Sequence, residues 1–596
     1  MEAHNIRRGT LAVTLALGAL AASTDALAQR YIDLPGTQSG GLAEGTPLES
    51  STSCGVTCHY SRDPEVPSAM PYDGWLGSMM GNAVRDPLFL AALTVAEQDA
   101  PGVGDWCLRC HTPPGFVGGR TRGALAASRG AELLPEDRDG VTCDSCHRMV
   151  ATTNLGNAQY QLSPTETRFG PYADIVSIRH PGAVSTWLPD SRMCGTCHEV
   201  TNPTQPLRRA DGTDTGQRVP LDTTYSEWAR SAFAAAGSPE ARSCQDCHLP
   251  RVEGSARVSS NDVALLRSRP RRHDLAGANA WGLRVLGRMR GDVASGEFYD
   301  PDAAPFYEAG AQRAEATLRA AVSLEVREAP RQAAPGERVT VVARLTNLSG
   351  HRVPTGYTDG RRAWLEVTVI DADRRETPVS GAYDLAQARL AEPDPQLRVY
   401  EALHGRAGMG VSEHIALHDT IVKDTRLPPR GYRPLPGHEP VGVDYSGGED
   451  GALRHWDDAR YTFTIPAGAR GPLTVRVRAL YQTTTRGYVE FLARENRTDD
   501  RGRELLRLYE ASGRAAPFSM AEATTEVTLT APAADAGPPD GGADASTMDA
   551  GPPSPGDPGC GCRVGRGAGG GVGALGVWAL GALGVRRRRR GRRGGR

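Results

Sequence analysis

Five short segments place a histidine directly after the second of two closely spaced cysteines. This spacing is the attachment pattern of a c-type haem: two thioethers reach the vinyl groups on one edge of the porphyrin, and the following histidine turns under the ring to ligate the iron. Four segments read Cys-x-x-Cys-His, at residues 107–111, 143–147, 194–198 and 244–248. The fifth, at residues 54–59, has one extra residue between its cysteines.

The spacing therefore predicts five covalently bound haem c groups. Zinc sites and redox disulfides are the competing interpretations of paired cysteines. Zinc would not need a histidine after every second cysteine, and five redox motifs in one exported chain are implausible. The predicted thioether cysteines are Cys54, Cys58, Cys107, Cys110, Cys143, Cys146, Cys194, Cys197, Cys244 and Cys247. The predicted proximal iron ligands are His59, His111, His147, His198 and His248.

The sixth, distal ligands must come from other side chains. The chain has 14 histidines, and eight remain once the five proximal residues and His4 are set aside. His180 and His273 lie within the segment that carries the motifs, so they are the first candidates. His351, at the end of a predicted strand further on, could reach back to a haem. Met80 is the best thioether candidate. Weaker candidates are His404, His414 and His418.

The first 28 residues are typical of a secretory signal peptide. Arg7 and Arg8 precede a short apolar run at residues 11–22. A small-residue cleavage pattern ends at Ala28. We therefore expect the mature chain to begin near residue 29 and to function outside the cytoplasm.

The C-terminal end predicts a linker followed by an envelope anchor. Residues 531–559 are rich in Ala, Pro, Gly and Asp, with almost no large apolar side chain, so we expect a disordered linker. Residues 560–596 begin with a Cys-Gly-Cys segment, continue with an apolar run at residues 569–585 and end with eight arginines. The apolar run could barely span a bilayer, with the arginines on the cytoplasmic side.

The period of the apolar residues changes after Arg319. Alternation of apolar and polar residues, with turn signals between the runs, predicts strands at residues 339–345, 365–369, 461–465, 473–479 and 527–529. This period of two is typical of an antiparallel β-sandwich. We therefore predict a mixed fold, made of a mainly helical and irregular pentahaem cytochrome domain at residues 29–325, an antiparallel β-sandwich domain at residues 326–530, a disordered linker at residues 531–559 and a C-terminal sorting or membrane helix at residues 560–596.

Helix signals occur between the motifs and near the end of the β-rich segment. Asp86 is a candidate N-cap for a helix over residues 88–96. The segment from Thr224 to Glu227 has the sequence pattern of a capping box and predicts a helix that ends at Gly237. Further helices are expected at residues 75–80 and 499–511.

Residues 54–250 resemble the multihaem domain of the cytochrome c-554 type, a family of tetrahaem electron carriers. The resemblance rests on segments 75–80, 105–111, 140–147 and 194–198. Segments 350–356 (Gly-His-Arg-Val-Pro-Thr-Gly) and 423–429 (Lys-Asp-Thr-Arg-Leu-Pro-Pro) resemble the β-rich domain appended to many such surface cytochromes. The resemblance implies electron transfer through bound haems. Five motifs where the family has four mean that its ligand pairing cannot be carried over.

The C-terminal segment carries a second resemblance. Its order of cysteines, apolar helix and arginine cluster resembles the C-terminal sorting domain of surface proteins from myxobacteria. This resemblance implies processing near Cys560 and Cys562 and display on the cell surface.

Three functions compete on these observations. The first is an electron carrier that passes electrons along its haems. The second is a multihaem oxidoreductase with one open iron, acting on a small nitrogen compound such as nitrite or hydroxylamine. Pentahaem nitrite reductases mark the open iron with Cys-x-x-Cys-Lys, whereas every motif here ends in histidine and the single lysine is Lys423. The third is a surface binding protein with accessory haems.

The balance of basic and acidic residues indicates which classes of partner the chain can bind. Lys+Arg total 68 and Asp+Glu total 70, so the chain lacks the basic excess of a dedicated nucleic-acid binder. We expect redox partner proteins and attachment to the cell envelope through the C-terminal segment. The expected location is the periplasm or the cell surface.

Overall fold

The computed structural model describes residues 33–42, 45–61, 69–121, 133–260, 265–357 and 359–530. The predicted signal peptide, linker and sorting segment lie outside these residues. The described residues belong to one compact unit that mixes helices and sheets. Within these ranges, no helix has the length and apolar character needed to cross a membrane.

The helices are short over the haem motifs and longer after them. In chain order they are α1 (Ser51–Cys54), α2 (Pro71–Leu76), α3 (Pro87–Asp99), α4 (Val103–His111), α5 (Pro113–Val117), α6 (Cys143–His147), α7 (Ser191–Gly195), α8 (Thr224–Ala229), α9 (Cys244–His248), α10 (Ala280–Gly291), α11 (Ala304–Ala320), α12 (Arg486–Glu495) and α13 (Arg501–Ala511). A π-helical turn covers Gly55–His59, and 3-10 turns cover Pro135–Asp139, Val293–Phe298, Ile415–Leu417 and Glu449–Gly451.

The strands fall into short pairs among the motifs and larger sheets after residue 322. The first group is β1 (Met149–Val150), β2 (Gln161–Leu162), β3 (Arg168–Gly170), β4 (Gly182–Val184), β5 (Val200–Arg208), β6 (Asp214–Asp222), β7 (Ser255–Ala256) and β8 (Arg267–Ser268). The second is β9 (Val322–Glu328), β10 (Gln332–Ala333), β11 (Arg338–Asn347), β12 (Arg362–Ile370), β13 (Glu376–Ser380), β14 (Tyr383–Asp384), β15 (Arg389–Leu390), β16 (Val399–Tyr400), β17 (Ala402–Arg406), β18 (Gly410–Val411), β19 (Thr420–Asp424), β20 (Trp456–Thr464), β21 (Leu473–Gln482) and β22 (Phe518–Leu529).

Two buried arginines tie the first described residues to the motif segment. The guanidinium of Arg109 donates to the backbone carbonyls of Pro35 and Thr37, at 2.6 and 3.3 Å. That of Arg148 donates to the carbonyls of Thr46 and Pro47, at 3.0 and 2.9 Å. These carbonyls lie outside the helices and strands, and the two guanidiniums supply their hydrogen bonds. Residues 33–42 and 45–50 are thereby held against the segment that carries the motifs at 107–111 and 143–147.

Two sheets share one hydrophobic core in the β-rich segment. The larger has the order β10-β22-β21-β12-β13, with β16 also paired to β12, and the smaller has the order β20-β11-β9. Alternate residues of strands from both sheets are buried together in this core, including Val341, Leu365, Tyr461, Val475 and Val527. The pairing is antiparallel except between β10 and β22, which run parallel.

A buried ionic network, hereafter the Glu227 network, joins the motif segment to the β-rich segment. Glu227 on α8 accepts hydrogen bonds from the backbone N–H of Arg352 and from the Arg426 guanidinium, both at 3.0 Å. The guanidiniums of Arg352 and Arg426 each donate to the Asp424 carboxylate at 2.7 Å. Two carboxylates and two guanidiniums are buried together, so their charges balance.

The pKa values of the two carboxyls follow from this pairing. Burial alone would raise both, but the neighbouring guanidiniums outweigh it. They hold the pKa of Glu227 below its usual range and lower that of Asp424 to about 2. A lowered carboxyl pKa stabilises the folded state above the unfolded value, and that contribution is lost as the pH falls through the folded value. For Asp424 it is lost as the pH falls from about 4 towards 2.

The predicted strands and two predicted helices are confirmed. Strands β11, β12, β20, β21 and β22 cover the alternating runs. Asp86 caps helix α3 by accepting from the N–H of Leu88 at 2.9 Å, as expected. Helix α13 matches the helix predicted near residues 499–511. Strand β9 crosses positions 325 and 326, where we expected one domain to end and the next to begin.

Two helix predictions are wrong, and several elements were missed. The capping box at Thr224 does not form, because the N-cap is Thr223 and the Glu227 carboxylate accepts from the Thr223 hydroxyl and from Arg426, not from a backbone N–H of the helix start. Helix α8 ends at Ala229, well before Gly237. Helix α2 ends at Leu76, so the helix expected over residues 75–80 does not form. Sequence reasoning also missed the β5–β6 hairpin and helices α10, α11 and α12.

Replacing Glu227 by glutamine should destabilise the whole unit. The variant keeps the side-chain volume but leaves two buried guanidiniums facing one carboxylate. Breaking a buried ion pair from one side typically costs about 3–5 kcal/mol, and we expect a loss near the lower end because the amide still accepts hydrogen bonds. Urea unfolding followed by circular dichroism measures the change.

The matched control is Glu240→Gln, which removes a carboxylate from the surface pair with Arg430. That variant should unfold at nearly the wild-type urea concentration. Equal midpoints for the Glu227 variant and the wild type would show that the Glu227 network does not hold the two segments together.

Candidate functional site

Each regular motif lies on or beside a short helical turn, which sets the positions of its cysteines and histidine. Helices α4, α6 and α9 end at the motif histidine, and the turn is continued from α7 by the hydrogen bond from the N–H of His198 to the carbonyl of Cys194, at 2.9 Å. The hydroxyls of Thr142 and Ser243 cap α6 and α9. A single helical turn brings both cysteines and the histidine to one side, as haem attachment requires.

The longer motif is accommodated by a wider turn. Residues Gly55–His59 form a π-helical turn directly after α1. A π-helix closes its hydrogen bonds one residue later than an α-helix does, and it occurs mostly as a local feature of functional sites. The extra residue between Cys54 and Cys58 is thereby absorbed within one turn.

Four of the five motif histidines point one ring nitrogen at a backbone carbonyl. The Nδ1 atoms of His59, His111, His147 and His248 lie 2.6, 2.9, 2.7 and 2.7 Å from the carbonyls of Val258, Ala83, Phe169 and Ala276. A hydrogen bond from Nδ1–H to a carbonyl fixes the tautomer and leaves the Nε2 lone pair for a metal. This arrangement fits four proximal iron ligands.

His198 differs from the other four because its partner is a carboxylate. Its Nδ1 lies 3.8 Å from Oδ2 of Asp222, and half of its side chain is exposed. Burial by itself would lower the pKa of His198, but Asp222 outweighs it and raises the pKa to about 9. A carboxylate partner increases the basicity of a ligating imidazole. Sequence reasoning missed Asp222, which lies 24 residues beyond His198 at the end of β6.

The structure places two predicted distal histidines opposite motif histidines. The rings of His147 and His273 have centroids 6.1 Å apart with an interplanar angle of 26°, and those of His248 and His351 have centroids 6.3 Å apart at 17°. Two metal–nitrogen bonds of about 2 Å each, plus half of each ring, separate two imidazole centroids by about 6 Å. Both spacings therefore fit an iron held between the two rings.

The other two distal candidates are less clearly placed. The charge of His180 lowers the pKa of both His59 and His147, after the larger effect of burial, so its ring lies near these two. Because His147 faces His273, His59 is the remaining partner for His180. Met80 is half-buried between α2 and α3, and its backbone carbonyl accepts from the N–H of Val141 at 3.0 Å. Its thioether role stays a prediction.

Burial keeps several of these histidines neutral at ordinary pH. It lowers the pKa of His111 and His248 to about 4 and that of His273 to about 3. A neutral imidazole offers a lone pair to a metal, whereas a protonated one does not.

Cysteines of different motifs come together in pairs. The thiols of Cys54 and Cys143 interact, as do those of Cys110 and Cys197 and those of Cys194 and Cys244. Cys146 also lies close enough to Cys197 to be affected by its charge. The five motifs therefore form one connected cluster. None of these ten cysteines is in a disulfide bond.

The residues present thus fit haem. They provide helical Cys–Cys–His turns, oriented proximal imidazoles and two facing distal imidazoles. Two motif histidines have no such distal partner. Among the described residues, no histidine ring faces His111 or His198 in the way that His273 faces His147.

Comparisons with known proteins give little beyond this geometry. No protein-family model matches the chain, and no curated protein sequence matches it. The chain is similar to a penta-heme cytochrome c552 from Thermochromatium tepidum, with a TM-score of 0.44 and 17% identity over 76% of this chain and 95% of that one. It is also similar to the alkylpurine DNA glycosylase AlkC from Pseudomonas fluorescens, with a TM-score of 0.14 and 11% identity over 42% of this chain and 46% of that one. At these scores neither likeness identifies the fold.

Replacing His273 or His351 by alanine should open one iron at a time. If each residue supplies the sixth ligand of one haem, each variant should show a high-spin signal worth one haem in five, with the other haems unchanged. Electron paramagnetic resonance of the oxidised protein measures the fraction.

His455→Ala is the matched control, because His455 contacts Trp456 and faces no motif histidine. It should leave the spectrum unchanged. If both test variants keep the wild-type spectrum, the proposed ligand pairs are wrong.

Proposed function

We propose that this chain is an extracytoplasmic, surface-anchored pentahaem c-type cytochrome that transfers electrons along covalently bound haems. The observation that carries the proposal is the pair of facing imidazoles, His147 with His273 and His248 with His351, at the spacing of two ligands on one iron. A filled sixth position suppresses ligand chemistry at the iron and suits an electron carrier.

The chain's own residues would hold and tune the cofactors. Bound haem supplies one-electron chemistry, because its iron is stable as both Fe(III) and Fe(II). The backbone carbonyls of Ala83, Phe169 and Ala276 orient the proximal rings, and hydrogen bonding of this kind also tunes the metal. Two imidazole ligands favour a lower potential than an imidazole and a thioether do.

The contacts between motifs support a continuous route. The motif at 54–59 adjoins the motif at 143–147, and the motif at 194–198 adjoins those at 107–111 and 244–248. The proximity of Cys146 to Cys197 connects the two groups. Each motif therefore has a neighbour, as electron transfer from one haem to the next requires.

A second candidate, a multihaem oxidoreductase, is favoured by one observation at His198. This histidine is half exposed, is paired with Asp222 and is faced by no other described histidine ring. An iron held there from one side would have a position open to a small molecule. In this version the other haems deliver electrons to that iron or remove them from it.

The proposed function also includes a role for the β-rich segment and attachment to the cell envelope. We take the two sheets that share one core as a β-sandwich that supports the motif segment through the Glu227 network. The resemblances to the cytochrome c-554 type and to the myxobacterial sorting domain support attachment of the chain to the cell envelope. Redox partner proteins would then meet the haems outside the cytoplasm.

Intact-mass spectrometry of the secreted protein tests the central proposal. We expect five covalent haem additions, and replacing Cys54 and Cys58 by serine should reduce the number to four. Optical spectra of the same sample should be mainly low-spin. A wild-type protein with no haem contradicts the proposal. A high-spin haem that binds nitrite, hydroxylamine or cyanide readily would favour the oxidoreductase over the carrier.

Deletion from Cys560 onward tests the surface attachment. The truncated protein should be released into the medium with its full haem content, because the predicted anchor is removed and residues 33–530 are intact. Fractionation with haem staining measures the distribution. A truncated protein that stays on the cell surface as the full chain does would exclude residues 560–596 as the anchor.

A further inference from the structure

Three buried side chains outside the haem motifs bring metal-binding atoms together. Asp359, His404 and His418 each offer one ligand atom, and these atoms lie within 4.8 Å of one another. The three residues are 6%, 5% and 0% exposed. Buried groups of this kind need either hydrogen-bond partners or a metal, because leaving them unpaired is unfavourable.

Each histidine ring has one buried nitrogen without a hydrogen-bond partner. Nε2 of His418 lies 2.8 Å from the carbonyl of Ser412, which fixes the tautomer so that the Nδ1 lone pair is free. Nδ1 of His418 and Nδ1 of His404 are buried and lack any hydrogen bond. Nδ1 of His404 lies 3.5 Å from Oδ1 of Asp359. The two rings are nearly parallel, with centroids 5.2 Å apart.

The backbone around His404 and His418 orients these two side chains. The pairing of β17 with β19 shifts register between Leu403 and His404, and breaks of this kind in a strand pair are common beside functional sites. The 3-10 turn Ile415–Leu417 directly precedes His418. Its Ala416 belongs to the same hydrophobic cluster as Trp106 and Cys107, and the turn packs on helix α3.

A simple ion pair explains only part of this arrangement. A protonated His404 could balance the charge of Asp359. It would not give Nδ1 of His418 a partner, and it would place a cation beside a second imidazole. A single cation bound to all three atoms satisfies both nitrogens and the carboxylate at once.

We propose that Asp359, His404 and His418 bind a divalent first-row transition-metal ion such as Zn²⁺ or Fe²⁺. Imidazole nitrogen suits these ions and disfavours Mg²⁺ and Ca²⁺, which prefer oxygen ligands. Two histidines and one carboxylate form a ligand set of zinc and non-haem iron sites that keep positions open for water or substrate. The site is separate from the haem attachment motifs and does not depend on the haem proposal.

Metal analysis of the full-length holoprotein tests this site. The sample is stripped with a chelator, incubated with Zn²⁺ alone and desalted. Bound zinc is then measured by mass spectrometry against the haem content of the same sample. We expect one zinc per chain, and X-ray absorption at the zinc edge should show nitrogen and oxygen ligands without sulfur. Sulfur ligands would assign the zinc to haem-free cysteines and overturn the proposal, as would a protein that retains no zinc.

Two variants assign the site to these residues. Asp359→Asn keeps the shape of the side chain but removes the negative ligand, and His418→Gln removes one nitrogen. Each should lower zinc affinity at least tenfold while haem content and circular dichroism stay at wild-type values. His455→Gln is the matched control and should bind zinc as the wild type does. Wild-type zinc binding in both test variants would overturn the assignment, and the separate haem count distinguishes that outcome from a failure of the haem proposal.

Discussion

Four buried charged side chains fix the position of the motif segment relative to the β-rich segment. Glu227 belongs to the motif segment, whereas Arg352, Asp424 and Arg426 come from the β-rich segment, and all four are nearly inaccessible to water. Their mutual hydrogen bonds offset a large desolvation penalty only when all four are in place. The network therefore demands one relative position of the two segments, which an apolar contact alone would not specify.

That position decides which histidines meet. His351 directly precedes Arg352, so the contact that holds Arg352 against Glu227 also brings the ring of His351 opposite His248. One iron would then be ligated from both segments at once. By contrast, His147 and His273 both lie in the motif segment and meet without help from the sheets. The two facing pairs thus depend on different parts of the fold.

The β-rich segment is more than a support. Besides His351, it contributes the Asp359–His404–His418 cluster, which lies next to the hydrophobic cluster around Cys107. His414, in the same stretch of chain, pairs with Asp99 at the end of α3. The turn that precedes His418 therefore packs on helix α3.

The local chemistry follows from residues that are neighbours in the chain. A Cys–Cys–His turn needs residues adjacent in the chain, so spacing alone identified the five candidate attachment sites. Alternation of apolar residues identified the main strands for the same reason, since a strand exposes every second side chain to the core. His273 and His351 were recognised as candidate ligands, but their partners were not, because each pair joins residues more than 100 positions apart.

The long-range pairings form only when the chain folds. Asp222 reaches His198 because the β5–β6 hairpin folds back on the motif, and that hairpin carries weak strand signals in the sequence. Glu227 was expected to cap a helix and instead faces two arginines from distant strands, because a buried carboxylate is stabilised far more by paired guanidiniums than by a helix start. The cluster of Asp359, His404 and His418 is likewise assembled from separate elements. Neither the composition nor the spacing of apolar residues predicts such contacts, because they depend on which surfaces meet when the chain folds.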